Sequence, residues 1–398
     1  MLSVTEAQTK VLEGLKRLGQ EQVSLGAAAG RVLAADVAAH RTQPPFDVSA
    51  MDGYAVRAQD VATVPAKLKV IGSVAAGAVF DRAVGKGEAV RIFTGAPVPK
   101  GANTIVIQEN TKTQDEEVQV VDGVSPAGRH IRRAGLDFKK GDKLLKAGQR
   151  LTPRDIALAA SMNHAALPCA RQPRIAILAT GDELVPPGGD PGAAQIITST
   201  SAGISASVME WGATVRELGI ARDRVEDIRF KAAASDGADL FVTLGGASVG
   251  DHDLVQKALV PELKVAFWKI AMRPGKPLIF GRYRSMPFLG LPGNPVSAMV
   301  CAQLYLKPMI YKLLGNTGAP LVTIAAKLAG GLKPNDQRQD YVRCGLRAES
   351  DGLLVAEPFP IQDSSMLRPF AHANGLIVRP PGDPARNVGD MVSVLRLD

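Results

Sequence analysis

The sequence predicts a multidomain α/β plus β protein organised around a central doubly wound α/β domain. From residue 174, apolar strand-like runs alternate with helical segments, which is typical of a parallel sheet with helices on both faces. Before residue 142 and after residue 318, short β-like runs broken by Gly and Pro predominate. A chain of 398 residues also exceeds the size of one hydrophobic core.

These patterns divide the chain into four domains. A small helical domain is discontinuous, with residues 1–40 and 142–172, and a β-rich domain, 41–141, is inserted into it. The α/β domain spans 173–317. Residues 318–398 form a C-terminal β-barrel domain, for which a sandwich is the alternative.

Two helices define the helical domain. Ser3 and Glu6 have the spacing of a capping box, Gly19 can end the helix, and apolar residues follow a helical period: Val4, Ala7, Val11, Leu15 and Leu18. The second helix begins with Thr152 as N-cap and Pro153 in the first turn. We expect the two helices to pack side by side.

Composition narrows the function classes. A net charge of +8 favours anionic ligands, but aromatic residues make up only 5% and none interleave with the basic clusters at 129–133 and 139–146. This pattern argues against nucleic acid, which needs stacking platforms. Three widely separated cysteines predict buried thiols in a reducing compartment. The sequence shows no signal peptide and no long apolar run, so we expect a cytoplasmic protein without a membrane span.

Three loops of the α/β domain follow predicted strands and could meet at one sheet edge: "ATGDELV", "TLGGASVGDHD" and "LPGNPVS". In the second loop, Gly245 and Gly246 would let backbone N–H groups approach a phosphate, with Ser248 as a hydroxyl donor. An ordinary tight turn explains the glycines equally well.

Carboxylates accompany these loops. Glu183, Asp251 and Asp253 close to a phosphate would suit Mg²⁺, which prefers carboxylate and phosphate oxygens. Asp182 and Asp251 are alternatively helix caps.

Basic residues form a second anion-binding candidate. Lys269, Arg273 and Lys276 surround a Pro-Gly turn between two apolar strands, where they can bind a multiply charged oxyanion. A plain basic hairpin is the alternative. Ser297 lies at a helix start with Asn294 as predicted N-cap, which is either another anion site or an ordinary helix start.

The β-rich domain contains two further candidates. Asp52 lies in "PPFDVSAMDGYAVR" and Thr94 lies in "RIFTGAPVPKGANTIV", each among turn-forming residues. A structural turn is the simplest interpretation of either segment.

Taken together and in order, six segments resemble the molybdopterin molybdenumtransferase family, known as MoeA in bacteria. They are "PPFDVSAMDGYAVR", "RIFTGAPVPKGANTIV", "ATGDELV", "TLGGASVGDHDLV", "WKIAMRPGKPLIFG" and "GLPGNPVSAMV". The resemblance implies a homodimer. Its active-site cleft would lie between the α/β and C-terminal domains of one subunit and the β-rich domain of the other.

The resemblance also implies the reaction: molybdate is inserted into adenylylated molybdopterin with Mg²⁺-dependent release of AMP. It assigns catalysis to Asp52, Glu183, Asp223 and Asp253, with Glu183 and Asp253 at the metal and Asp137 a weaker match. Substrate-binding positions carried over from the family, or suggested by the loops above, are Thr94, Gly245, Gly246, Ser248, Lys269, Arg273, Lys276, Pro292, Pro295, Ser297, Arg338 and Ser364.

This chain departs from the family pattern in two places. Arg273 stands where many relatives have Lys, so a planar fork replaces a point charge. Arg338 and Ser364 match only loosely. Further implied partners are the molybdopterin adenylyltransferase and proteins that mature molybdoenzymes.

Three alternatives remain open at this stage. The chain could be a molybdopterin adenylyltransferase, although that enzyme is a single compact domain without the flanking β modules. It could instead be a scaffold protein, since eukaryotic relatives of this module also cluster receptors. Tungstate could replace molybdate, because the two ions have nearly the same size and charge.

Overall fold

The structure is a computed structural model that describes residues 1–123, 125–246, 254–350 and 352–397. No helix in these ranges is both long enough and apolar enough to cross a membrane.

The N-terminal segment has four short elements: α1 (Val4–Leu12), β1 (Gln20–Ser24), α2 (Leu25–Ala28) and β2 (Val37–Ala38). The predicted capping box is present, because Ser3 and Glu6 each accept a hydrogen bond from the other's backbone N–H. The predicted end at Gly19 is wrong. The helix stops at Leu12 because Glu13 is extended and Gly14 is left-handed, with φ 73°. Leu15 is nevertheless buried, so the apolar period continues into a loop.

The β-rich segment forms one six-stranded sheet in the order β7-β4-β6-β5-β9-β8. Gly53 starts its central strand, and a Cβ there would lie 2.0 Å from the Val106 carbonyl oxygen, so only glycine fits. Its strands are β3 (Val48–Ser49), β4 (Gly53–Val56), β5 (Ala66–Val74), β6 (Glu88–Ile92), β7 (Thr104–Ile107), β8 (Thr111–Gln114), β9 (Glu117–Val120) and β10 (Ile131–Arg132); β3 pairs with β10 outside the main sheet. Short 3₁₀ helices cover Ala58–Val61 and Gln108–Asn110.

The chain then returns to the helical segment with β11 (Lys143–Leu145), α3 (Pro153–Ser161) and β12 (Ala166–Ala170). Thr152 caps α3 as predicted, in a capping box with Asp155. β12 pairs with β1, and β11 pairs with β2.

The expected side-by-side packing of the two helices is wrong. The buried residues of α1 belong to the core of the α/β segment, whereas Ala159 of α3 packs in a separate core with residues such as Ala28 and Leu33. The apolar stripe of α1 shows that one face is buried, but not against which partner.

The α/β segment contains a six-stranded sheet in the order β16-β13-β17-β21-β20-β18. Apolar cores cover both of its faces, which confirms the doubly wound arrangement. The strands are β13 (Arg174–Thr180), β14 (Leu184–Val185), β15 (Ile196–Ile197), β16 (Thr214–Ala221), β17 (Leu240–Leu244), β18 (Leu263–Lys269), β19 (Met272–Arg273), β20 (Pro277–Tyr283) and β21 (Met286–Leu291); β14 pairs with β15 outside the sheet.

The sheet is only partly parallel. β16, β13, β17 and β21 run parallel, but β20 is antiparallel to both β21 and β18. No helix separates these last strands along the chain, so they pair through short turns.

Five helices accompany this sheet: α4 (Thr200–Glu210), α5 (Val225–Ala233), α6 (Leu254–Leu259), α7 (Pro295–Cys301) and α8 (Lys307–Leu314). A π-helical segment, Ala302–Leu306, joins α7 to α8 into one continuous helix. The Gln8 side chain of α1 donates to the Leu304 carbonyl oxygen there, 3.3 Å away. That bond ties α1 to the irregular turn.

The C-terminal segment is a closed five-stranded barrel, which decides between the barrel and the sandwich. Its strands are β22 (Thr323–Leu328), β23 (Gln339–Ala348), β24 (Leu354–Pro358), β25 (Gly375–Arg379) and β26 (Met391–Arg396), and a short helix α9 (Leu367–Ala371) precedes β25. The pairing of β23 with β25 closes the ring. β19 adds to this barrel in parallel with β23, so the α/β and C-terminal segments share one ladder.

Candidate functional site

A cavity of about 940 Å³ opens at the carboxyl ends of β13, β17 and β21. Its floor and walls come from the α/β segment, and the opposite side comes from the barrel. It brings together eleven residues that the sequence predicted for the site: Glu183, Asp223, Gly245, Gly246, Arg273, Lys276, Pro292, Pro295, Ser297, Arg338 and Ser364. Strand-end loops therefore converge as expected for a sheet of this type.

The glycine-rich loop starts with two positions that only glycine can occupy. Gly245 and Gly246 have φ of 88° and 65°. A Cβ on Gly246 would come within 2.2 Å of the Val255 side chain, and one on Gly245 would come within 2.8 Å of the Thr180 carbonyl oxygen. Both glycines line the cavity, which exposes backbone there to a ligand. Ser248, Asp251 and Asp253 lie outside the described residues.

Two predicted carboxylates line the same cavity and are exposed. Glu183 follows β13, and its carboxylate lies so close to Gly181 that a Cβ on the glycine would meet Oε2 at 2.5 Å. Asp223 follows β16, and its N–H donates to Oδ1 of Asp182 at 3.2 Å. Asp182 thus joins the loop after β13 to the loop after β16. The helix-cap interpretation of Asp182 is wrong, because the next helix after it begins only at Thr200.

The donor set is compatible with Mg²⁺ only if the ligand completes it. Within the described ranges, no group of three or more His, Cys, Asp or Glu side chains is placed to hold a metal ion. Mg²⁺ is usually bound through one or two carboxylates together with substrate phosphates and water. Glu183 and Asp223 in a cavity with cationic walls fit that second pattern.

The two arginines of the cavity, Arg273 and Arg338, are already engaged by carboxylates of the barrel. Arg273 Nη2 lies 2.5 Å from Asp340 Oδ2, and Nη1 lies 3.4 Å from Asp336 Oδ2. Arg338 Nη2 lies 2.6 Å from Asp336. Hydrogen bonds from the Arg338 side chain, and then from its backbone, lower the pKa of Asp336 to about 2, so this carboxylate stays ionised. Lys276 also lines the cavity.

Lys269 is the predicted cation that the structure does not bring to this cavity. Its ammonium lies 3.7 Å from the ring centroid of Trp268, at the end of the edge strand β18. Its backbone carbonyl accepts a hydrogen bond from the N–H of Leu2. The sequence places Lys269 four residues from Arg273, but the intervening turn separates their side chains.

Several residues that line the cavity were not predicted from the sequence. Thr198 and Ser199 precede α4 and, with Thr200, place this helix start against the cavity. Asn294 occupies the predicted N-cap position of α7, yet its side chain donates to Ser364 Oγ at 3.0 Å instead of capping the helix. An Asn before a helix-starting proline signals a cap, so this cross-domain bond could not be read from sequence.

Arg343 is a second missed residue, and it supports the wall of the cavity from behind. It is only 2% exposed. Its Nε donates to the Gln362 side chain at 3.1 Å, and Nη1 donates to the Asp363 carbonyl oxygen at 2.8 Å. These bonds hold the loop that carries Ser364 and Ser365. An arginine inside an apolar strand was the available signal, because a buried cation needs several acceptors.

Asp52 and Thr94 lie together on the β-rich segment and do not line this cavity. Thr94 donates to Asp52 Oδ1 from its N–H at 2.7 Å and from its hydroxyl at 2.8 Å. These bonds, the backbone one first, lower the pKa of Asp52. Asp137 is exposed on the same segment.

The fold and cavity define a class of protein: a doubly wound α/β domain with a cavity lined by cations at its strand ends, closed by a barrel and flanked by a β-rich module. The chain belongs to the MoeA family. Its residues 2–163 match the "MoeA N-terminal region (domain I and II)", residues 176–312 a "Probable molybdopterin binding domain", and residues 325–397 the "MoeA C-terminal region (domain IV)".

Relatives and solved structures agree along nearly the whole chain. Proteins named molybdopterin molybdenumtransferase from Haemophilus influenzae and Bacillus subtilis are each 35% identical to it, over 95% and 99% of this chain respectively and 94% of each relative. A crystal structure of a molybdopterin biosynthesis MoeA protein from Pyrococcus horikoshii superposes with a TM-score of 0.86 at 29% identity, covering 100% of this chain and 99% of that one.

Proposed function

We propose that this chain is a molybdopterin molybdenumtransferase that inserts molybdenum from molybdate into adenylylated molybdopterin, with Mg²⁺-dependent release of AMP. The observation that carries the proposal is the single cavity in which a glycine loop, two arginines, a lysine and two carboxylates converge. This set matches a substrate pair in which both partners are oxyanions. The names of full-length relatives support the same activity.

The cations and backbone N–H groups would bind the charged parts of the substrates. Arg273 offers a planar fork and Lys276 a point charge for the phosphates and the tetrahedral oxyanion. Gly245 and Gly246 let the ligand approach the backbone, while Ser297, Arg338 and Ser364 add donors around it. Pro292 and Pro295 shape the wall between them.

The carboxylates would act on the pyrophosphate link. Glu183, joined by Asp253 outside the described residues, would hold Mg²⁺, and Asp223 would orient water towards the phosphorus. When bound, Mg²⁺ supplies Lewis-acid stabilisation of the phosphate oxygens. Lys269 lies outside the cavity, so its proposed role in substrate binding requires its side chain to leave Trp268.

We further propose that the protein acts as a homodimer of four-domain subunits. The four domains are 1–40 with 142–172, 41–141, 173–317 and 318–398. Asp52 and Thr94, which do not reach the cavity of their own chain, would complete the cleft of the second copy. We expect a cytoplasmic enzyme that exchanges substrate with the molybdopterin adenylyltransferase and with molybdoenzyme maturation proteins, and that binds neither nucleic acid nor membranes.

The test is release of AMP from adenylylated molybdopterin by the purified protein. We expect release to require both molybdate and Mg²⁺, and Glu183→Gln to slow it about 10²-fold because one metal-facing carboxylate is lost. Tungstate in place of molybdate measures the oxyanion preference.

Glu210→Gln is the matched control. Glu210 is exposed at the far end of α4, about 15 Å along the helix from the cavity. Its variant should release AMP at the unmodified rate. Well-folded protein that shows no molybdate-dependent release of AMP would contradict the proposed activity.

A further inference from the structure

The Asp52–Thr94 pair sits where two antiparallel strands end together. Gly53 of β4 pairs with Ile92 of β6, so Asp52 precedes one strand and Phe93 and Thr94 follow the other. Both hydrogen bonds from Thr94 end on the same carboxylate oxygen, Oδ1. The direction of this carboxylate therefore depends on the relative position of two loops.

One side chain, Arg91, contacts both loops. It lies directly across the ladder from Tyr54, and its guanidinium carbon is 5.2 Å from the Tyr54 ring centroid and 5.0 Å from the Phe93 ring centroid. Contacts of this kind attract a cation to the ring face. Phe93 immediately precedes Thr94, so the stack fixes the loop that donates to Asp52.

The same guanidinium also holds the Asp52 side of the pair. Its Nη1 donates to the Gly53 carbonyl oxygen at 3.3 Å, and its Nη2 donates to Gln108 Oε1 at 2.6 Å. The Gln108 N–H in turn donates to the Asp52 carbonyl oxygen at 3.1 Å. The carbonyl groups of Asp52 and Gly53 are thus bonded into a network centred on Arg91.

The charge of Arg91 acts on the carboxylate as well. The pKa of Asp52 is lowered first by the Thr94 N–H, then by the Thr94 hydroxyl, and in addition by the positive charge of Arg91. Two other titratable or charged groups, Arg129 and His130, lie on the neighbouring segment. They bond to each other at 3.2 Å, and the His130 carbonyl oxygen accepts from the N–H of Ala50.

We propose that Arg91 is a positioning residue of the active site: it clamps the Asp52 loop to the Thr94 loop through its hydrogen bonds and its stacked rings. Asp52 is thereby presented, ionised and in one orientation, to the substrate. This inference rests on the catalytic role of Asp52 in the proposed function. Arg91 itself need not contact substrate, because its contacts in the described part of the chain are to the two loops and to Gln108 and Tyr54.

Two variants of the full-length protein test the clamp. Arg91→Met keeps the length of the side chain but removes the charge and the donors, and we expect kcat to fall about tenfold with KM changed less than about twofold, as for a misplaced catalytic group. Arg91→Lys restores the charge over the rings but not the fork, and we expect it to recover most of that loss.

The second readout does not depend on activity. Carboxyl ¹³C NMR, with the Asp52 signal assigned by its loss in Asp52→Asn, measures the pKa of this one carboxylate. We expect this pKa to rise in Arg91→Met and to return towards the unmodified value in Arg91→Lys. If Arg91 served only folding, Arg91→Met would lower the free energy of unfolding, and the Asp52 pKa would not rise in Arg91→Met and return in Arg91→Lys.

Arg284→Met is the matched control, because Arg284 also lies over a tyrosine ring, 5.2 Å from the Tyr283 centroid, and pairs with Asp236 away from the site. It should change neither kcat nor the Asp52 titration. Folded Arg91→Met protein with an unchanged Asp52 pKa and unchanged kcat would overturn the proposal. If the unmodified protein releases no AMP, the proposed function fails and the Asp52 titration alone decides the clamp.

Discussion

Two arginine–aspartate clusters at the C-terminal barrel are built from the same groups in different surroundings. In the first, Arg379 pairs with Asp383, their side chains only 4% and 5% exposed, and Arg386 adds a second contact to the same carboxylate. In the second, Arg273 pairs with Asp336 at the cavity, and these side chains are 46% and 45% exposed. Burial therefore separates a pair that holds the barrel from a pair that a ligand can reach.

The difference has a chemical meaning. A buried carboxylate between two guanidiniums cannot be replaced by a neutral group without leaving an unpaired positive charge in an apolar medium. At the cavity, water screens the pair of Arg273 with Asp336 and weakens it. Under the proposed function, a phosphate or an oxyanion would take the place of Asp336 on Arg273, while Asp340, only 14% exposed, would keep Arg273 oriented.

Breaking the buried cluster should give the largest effect. Asp383→Asn leaves Arg379 buried without a counter-charge, and we expect the free energy of unfolding to fall by about 3 kcal/mol. Chemical denaturation monitored by circular dichroism measures this loss. Because the Asp383 side chain does not line the cavity, kcat/KM of the folded fraction should change little.

The exposed cluster should show the reverse behaviour. Arg273→Met removes the planar fork from the cavity, and we expect kcat/KM for AMP release to fall about 10²-fold while the unfolding midpoint stays close to the original. Arg347→Met is the control, because Arg347 forms a surface ion pair with Glu349 elsewhere on the barrel. Equal losses of kcat/KM in Arg273→Met and Arg347→Met would show that the position of Arg273 at the cavity does not matter. The distinction between the two clusters would then be lost.

Arg343 combines features of both clusters, so its variant sharpens the comparison. It is buried like Arg379, but it supports a loop of the cavity. We expect Arg343→Met to lower the free energy of unfolding by about 2 kcal/mol, because Gln362 and the Asp363 carbonyl lose their donor. We also expect KM for molybdate to rise more than kcat falls. A stability loss with unchanged KM would assign Arg343 to structure alone.

The smallest effect is expected at Asp336. Its folded pKa of about 2 is below the unfolded value, so its ionised form contributes stability above about pH 4, and this contribution is lost as the pH falls through the folded pKa. Because water screens this exposed pair, Asp336→Asn should change the free energy of unfolding at neutral pH by less than about 0.5 kcal/mol. Carboxyl NMR would contradict the assignment if Asp336 titrated near 4.

Local sequence rules predicted most of the elements and eleven of the residues that line the cavity. Apolar period, caps and glycines are local signals, and they placed α3, the parallel strands and Gly245 with Gly246 correctly. Strand-end loops of a doubly wound sheet must meet at one edge, which is why Glu183, Gly245 and Ser297 could be brought together without a structure.

Some of what failed depends on contacts distant in sequence, such as the docking of α1 on the α/β core. The end of α1 and the position of Lys269 are local instead, because Gly14 is left-handed just after Leu12 and the Lys269 ammonium lies against its neighbour Trp268. The bond from Asn294 to Ser364 spans 70 residues, and no local pattern in either segment predicts this contact. The support from Arg343 to the 362–365 loop was missed for the same reason.

The ladder shared by β19 and β23 has a mechanical consequence. Arg273 pairs with Asp340 in that ladder, and the Gln339 N–H donates to the Ala271 carbonyl oxygen at 2.9 Å, so backbone bonds join the cavity turn to the barrel. The barrel is fastened to the α/β segment at a second place, where the Asn294 side chain donates to Ser364 Oγ at 3.0 Å and the Val296 N–H donates to the Ser364 carbonyl oxygen at 3.1 Å. Attachment at two separate places opposes rotation of the barrel about the ladder, so the two walls of the cavity keep their spacing.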